Sequence, residues 1–272
     1  MSDITPAPIT ALPMTTQLRE LWRYHALVQA LVSRHLATRY RGSALGFLWT
    51  LLNPLCLMAV YTLVFHYYMR AGASEHYTSL LFVGLLPWLW TVSSLHEGTA
   101  SIVSSGHLIT KSMFPAQVLP VVAVIASLVN FLLSLPLMLV FLFFDGIVPH
   151  PTLILLPIVI LLQGIFLFGL TLMLSALNVR YRDVQHLVGN VLTFLFFLTP
   201  IIYPPQMVPD SMRFTLQINP LAAFTVLYHD VVLHGVWPSP LSLLGLTAWA
   251  LISLLVGSMV FSRYRESFAE SL

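Results

Sequence analysis

The sequence predicts an all-α polytopic membrane protein, and three observations carry that prediction. Hydrophobic residues make up 58% of the 272 residues and charged residues only 8%, against about 25% charged in soluble domains. The apolar residues gather into six runs, most of them reaching the roughly 20 residues that a helix rising ~1.5 Å per residue needs to cross a ~30 Å hydrocarbon core. The runs lack the polar alternation of a barrel, so helices must satisfy the backbone groups in lipid.

Residues 1–16 carry Pro6, Pro8 and Pro13, one acid and no base. They lack the basic start and closely following apolar core of a secretory signal and are expected to form a disordered cytoplasmic tail. Residues 17–46 are expected to form an amphipathic interface helix. Leu18, Leu21, Trp22, Val28, Val32 and Leu36 lie on one stripe, and Arg23, Arg34 and Arg41 on the opposite face. Such a helix can lie among lipid headgroups or pack on the rest of the protein, and the pattern fits both.

Arg39 to Pro54 reads Arg-Tyr-Arg-Gly-Ser-Ala-Leu-Gly-Phe-Leu-Trp-Thr-Leu-Leu-Asn-Pro and turns almost wholly apolar at Phe47. Here the chain enters the bilayer, with Arg34, Arg39, Arg41 and Gly42 at the boundary. The membrane domain is expected over residues 47–265. Its six helices approximate Phe47–Tyr68, Leu80–Ser101, Val118–Phe144, Leu153–Leu177, Leu187–Tyr203 and Leu241–Phe261, the fifth being the shortest. Between the last two, Leu221 to Leu233 is too short to span and too apolar for a free loop, which predicts a re-entrant or interfacial helix. Residues 266–272 form a cytoplasmic tail. The only cysteine, Cys56, lies in the first run, so no intramolecular disulfide can form.

Lysine and arginine set the orientation. With the N-terminus inside, ten of the twelve fall on the cytoplasmic side, leaving Arg70 and Arg213 outside. Both termini, Lys111 and Arg180 are therefore expected in the cytoplasm, in a multi-pass protein of the cytoplasmic (inner) membrane. The net charge of +2 gives no argument for nucleic acid.

Catalytic and metal motifs do not emerge. Ser105 to Ser112 has Thr110 where a phosphate loop needs glycine. His96-Glu97 lacks the second histidine of a zinc-protease helix, and His229 and His234 are five apart. No catalytic residue, metal ligand or cofactor of this chain is assigned. Glu97, toward the cytoplasmic end of the second helix, must face protein or water, and its setting favours a structural, snorkelling or helix-contact role.

Four motifs in order resemble the transmembrane permeases of ABC polysaccharide exporters. They are Arg39 to Pro54, Leu-Ile-x-Lys-x-x-Phe-Pro at Leu108 to Pro115, Asn-Val-x-Tyr-Arg-Asp at Asn178 to Asp183, and Pro-Ile-Ile-Tyr-Pro at Pro200 to Pro204 with Asn219-Pro220. The resemblance runs from about Gln17 to Arg265. It implies a homodimer of six-helix permeases with two copies of a separate ATPase that carries ATP and Mg, exporting lipid-linked O-antigen or a related glycan. Capsule, teichoic-acid-like polymer, drug and small-lipid export remain alternatives, with a membrane enzyme or scaffold behind them. The resemblance places a coupling helix at Gly106 to Pro115, with Leu108, Ile109, Met113 and Phe114 as apolar knobs beside Lys111. Trp88, Trp90, Phe194, Phe197 and Tyr203 are candidates for a glycan path, since aromatic faces stack on sugar rings without reading each linkage. Lipid-facing or interfacial packing explains any single one of them as well.

Overall fold

The computed structural model describes residues 22–69, 76–106, 115–265 and 268, and every regular element among them is helical. Helix α1 (His25–Tyr40) precedes a 3-10 turn (Gly46–Leu48) that leads into α2 (Trp49–Tyr61), which continues in π-helical form over Thr62–Tyr68. Helices α3 (Tyr77–Ser104), α4 (Val118–Phe144) and α5 (Leu156–Arg180) follow, the last led in by a 3-10 turn at Pro151–Leu155. A tight turn gives α6 (Val184–Leu198). After short turns come α7 (Phe214–Ile218), α8 (Pro220–Tyr228) with a π-helical extension to His234, and α9 (Pro240–Tyr264).

Five helical stretches are long and apolar enough to cross a membrane, against the six expected: 46–68, 77–104, 118–144, 151–180 and 240–264. The difference is α6. It has 15 residues, about 22 Å at ~1.5 Å per residue, short of a ~30 Å core. Pro200 has no N–H to continue the ladder and pushes the residue before it out of helical space, and Thr199 is accordingly extended (φ −105°, ψ 134°). The apolar segment 221–233 is helical, and most of its side chains are buried.

Helix α3 is the hub, packing on α2, α4, α5, α6 and α8. Its interior Pro87 is absorbed in a buried network: the Pro87 carbonyl accepts from Thr91 Oγ1 (3.0 Å) and Gln163 Nε2 (3.1 Å), and Gln163 also donates to Thr91 Oγ1. The two hydrogen bonds donated by the buried Gln163 amide nitrogen tie α5 to α3 at this level. Helices α5 and α9 approach until Gly169 and Gly257 meet backbone to backbone, and Ser253 Oγ donates to the Phe166 carbonyl at 2.8 Å. Small residues spaced four apart are how membrane helices achieve such contact.

The motif residues prove to be joints. Buried Asn178 donates to the Thr99 carbonyl (3.1 Å) and accepts from the Gln185 amide (3.2 Å), holding the α5–α6 turn against α3. Tyr77 donates to the Ile202 carbonyl at 2.8 Å. Asn219 caps α8 by accepting from Leu221 N (3.0 Å) while donating to Thr199 Oγ1 (3.2 Å), so both faces of its amide are used.

Candidate functional site

The boundary motif gathers the first candidate residues. Helix α1 lies on α4 through Val28 and Val32 against Val118, Val122 and Ala126, whereas Trp22 is exposed. Two residues past the end of α1 stands Gly42, whose φ of +78° is one an L side chain adopts only with strain. The chain then turns into α2, with Ser43 Oγ accepting from the Gly46 amide (3.3 Å) and from Trp49 Nε1 (3.1 Å). Arg34 and Arg41 are exposed.

Glu97 binds α1 to α3. One carboxylate oxygen lies 3.0 Å from His35 Nε2 and the other accepts from Arg39 at 3.3 Å. These groups are only part-buried. Pairs at that exposure contribute little to stability, about 0–1 kcal/mol each, so their consequence is geometric: α1 is registered on the helix that runs into the connection 105–117. Arg34, His35, Thr38 and Glu97 line a small polar cavity of about 280 Å³ there.

The proposed coupling residues Leu108, Ile109, Lys111, Met113 and Phe114 lie outside the described residues. Their flanks are placed. Gly106 follows the end of α3, and Pro115 opens the turn into α4.

Of the aromatic path candidates, the structure brings together Trp88 and Phe197. Both line a cavity of about 340 Å³ between α2, α3 and α6, with Tyr61, Phe65, His96 and Phe196. Phe196 bridges them, its ring 5.7 Å from that of Trp88 and 5.3 Å from that of Phe197. Trp90 is not part of this cavity. It stacks on Phe131 at 5.3 Å and donates to the Val124 carbonyl, which makes it core. Phe194 is exposed, and Tyr203 donates to the Phe197 carbonyl at 3.0 Å. The sequence marks His96 only as part of an incomplete metal motif and does not single out Tyr61, Phe65 or Phe196, although Tyr61 and Phe65 have the i, i+4 spacing of one helix face. Gly189 lets His96 come close: a Cβ there would lie 3.2 Å from the imidazole.

A larger cleft of about 870 Å³ opens between α5, α6 and α9, with Leu174, Leu195 and Trp249 among its walls. Apart from Thr215, Asn219 and Ser253 its lining is apolar or aromatic, so it suits hydrocarbon. No group of three or more His, Cys, Asp or Glu among the described residues could hold a metal ion.

Comparison with known proteins adds to this geometry. Residues 26–233 match a family model described as ABC-2 type transporter. The chain is 42% identical over 261 residues to the O-antigen export system permease protein RfbA of Myxococcus xanthus, covering 95% of this chain and 100% of that protein. It is 32% identical to the RfbA protein of Klebsiella pneumoniae, covering 90% of this chain and 95% of the relative. It is 23% identical to the polysialic acid transport protein KpsM of Escherichia coli, again over 90% and 95% of the two chains.

Proposed function

This chain belongs to the ABC-2 type transporter family, and from that premise we propose that it is the permease of an ATP-driven exporter moving lipid-linked, O-antigen-like polysaccharide across the cytoplasmic membrane. It is the transmembrane subunit of the exporter and not its catalytic one. The observation that carries the proposal is 42% identity running the full length of an O-antigen export permease. The capsule alternative has a weaker relative behind it, at 23%.

Two permeases pair with two ATPase subunits, which bind ATP and Mg. The stretch 46–68 is the least buried of the five long apolar ones in the single chain, which leaves it a face for a second copy. An isologous pair places the translocation path near the two-fold axis. The aromatic cavity holding Trp88 and Phe197 opens beside α2 and α6, whose outer faces expose Phe194, Phe197 and Val60. The apolar cleft between α5, α6 and α9 gives the lipid anchor a place in the bilayer. The segment Gly106 to Pro115 receives the ATPase, and because it joins α3 to α4, its displacement reaches the hub helix directly. ATP binding shifts the pair only through contacts that differ between the two states.

In topology, α6 and the segment after it make up the fifth of six crossings, and both termini are cytoplasmic. Cysteines placed at Ser112 and Ser211 are expected to label from opposite sides of the membrane. Labelling of both from outside intact cells would reject that arrangement.

Phe197 and Trp90 separate path from core. Phe197→Ala removes an exposed ring and is expected to lower export severalfold at normal protein level. Trp90→Ala removes a buried stacked ring, at about 3–5 kcal/mol, and is expected to lower the protein level itself. Unchanged export in Phe197→Ala would take away the basis of the aromatic path.

Deleting the gene in its host tests the function. Surface O-antigen is expected to disappear while lipid-linked glycan accumulates inside, with both reversed by a plasmid copy. Undiminished surface glycan in the deletion strain would refute the proposal.

A further inference from the structure

Arg39, bonded to Glu97, lines a cavity other than the one that holds that carboxylate. Between α2, α3 and α4 lies a cleft of about 260 Å³, and its walls carry Arg39, Asn53, Ser93, Ser127 and Asn130 beside Trp90. Polar side chains at membrane depth are expensive unless they meet protein, water or ligand, and they mark binding sites more often than packing faults. Ser127 is 2% exposed, and its hydroxyl has no hydrogen-bond partner among the described residues. Asn53 presents an amide from the opposite wall. No carboxylate lines the cleft. Arg39 gives one N–H to Glu97, and a guanidinium has five donors in a planar fork.

A cation, amides and hydroxyls converging without an acid form the donor set for an oxyanion with several acceptor oxygens. The remaining walls include Leu86, Leu89 and Phe131, so the site offers apolar surface as well as polar groups, as an amphiphile requires. A cleft of about 260 Å³ takes a phosphate with its ester linkage and leaves the acyl chains to the bilayer.

We propose that this cleft binds the phosphate of a lipid headgroup from the leaflet at the level of α1. Arg39 supplies the charge-assisted contact, and Asn53 and Ser127 supply further donors. Nothing in this depends on glycan export. The same phosphate chemistry is offered by a bilayer phospholipid and by a polyprenyl phosphate carrier.

The test is native mass spectrometry of the purified full-length permease with phosphatidylglycerol, a polyprenyl phosphate, neutral diacylglycerol or inorganic phosphate. Retention of either phosphate-bearing lipid over diacylglycerol is expected; phosphatidylglycerol alone identifies a bilayer lipid, and polyprenyl phosphate alone identifies the carrier. Arg39→Gln is expected to weaken retention about tenfold or more, as loss of a charge-assisted bond implies. Glu97→Gln breaks the same ion pair but leaves the cation, and is expected to retain the lipid. Asn53→Leu, away from the ion pair, keeps the test decisive if Arg39→Gln fails to fold, and is expected to weaken retention severalfold. Equal binding of diacylglycerol, binding of inorganic phosphate without either lipid, no lipid binding at all, or wild-type retention in Asn53→Leu would overturn the assignment.

Discussion

Leucine at Gly257 is expected to prevent the folded permease from accumulating in the membrane. A Cβ at this position would run into the Gly169 carbonyl, and a Cβ at Gly169 would in turn meet the backbone of Ser253 and Leu254. Overpacking a core with side-chain neighbours costs about 1–3 kcal/mol because those neighbours can shift. Here the neighbour is backbone on both sides, so α5 and α9 must separate along their contact and the Ser253–Phe166 hydrogen bond is lost. Against a total stability of about 5–15 kcal/mol, that separation is expected to be decisive. Gly245, on the same helix, has nothing within 4 Å of a built Cβ, and Gly245→Leu should be tolerated. Size-exclusion profiles of the solubilised proteins distinguish the two. A wild-type monodisperse peak from Gly257→Leu would show that the close approach is dispensable.

The paired substitution Leu108→Ala with Phe114→Ala is expected to uncouple the permease from its ATPase while leaving it inserted in the membrane. Anchor side chains buried in a partner's pocket contribute ~2 kcal/mol or more each, so losing two weakens association by about a thousandfold if the losses add. Lys111→Ala is expected to matter less, since a rim charge chiefly tunes association rate and salt sensitivity. The measurement is recovery of ATPase with tagged permease. Wild-type recovery together with normal export in the double variant would sink the coupling assignment.

What could be read in the sequence was whatever repeats locally. Long apolar runs identify helices because a bilayer imposes one length and one backbone solution, and the change from Arg39-Tyr-Arg41-Gly42 to Phe47 falls where α1 gives way to the first apolar helical stretch. The α6 discrepancy was partly visible: Pro200 stands inside the run from Leu187 to Tyr203, but counting apolar residues passed over it. The tryptophan grouping held a similar signal. Trp88 and Trp90 are two apart on a helix of 3.6 residues per turn, about 200° apart around the axis, so one path could not take both. Trp88 turns to the aromatic cavity and Trp90 to Phe131 and the Arg39 cleft.

Partnerships across the chain were out of reach. Glu97 was recognisable as an acid that must face protein or water, but its partner Arg39 lies 58 positions away. Asn178 stood out within a motif, while the Thr99 carbonyl it serves is 79 positions distant. Ser253 and Gly257 carry the small-residue spacing of a helix contact, but nothing within that segment identifies Gly169 as the residue they meet. Such joints arise from helix packing, which periodicity within one segment does not encode.

Transport itself can be measured with the permease and its ATPase reconstituted in proteoliposomes, ATP sites outward and lipid-linked glycan in the outer leaflet within reach of an added glycosidase. Addition of ATP and Mg is predicted to make glycan resistant to the enzyme, only when both subunits are present. Glycan that stays fully digestible while ATP is hydrolysed, or that becomes protected without the permease, would contradict the account.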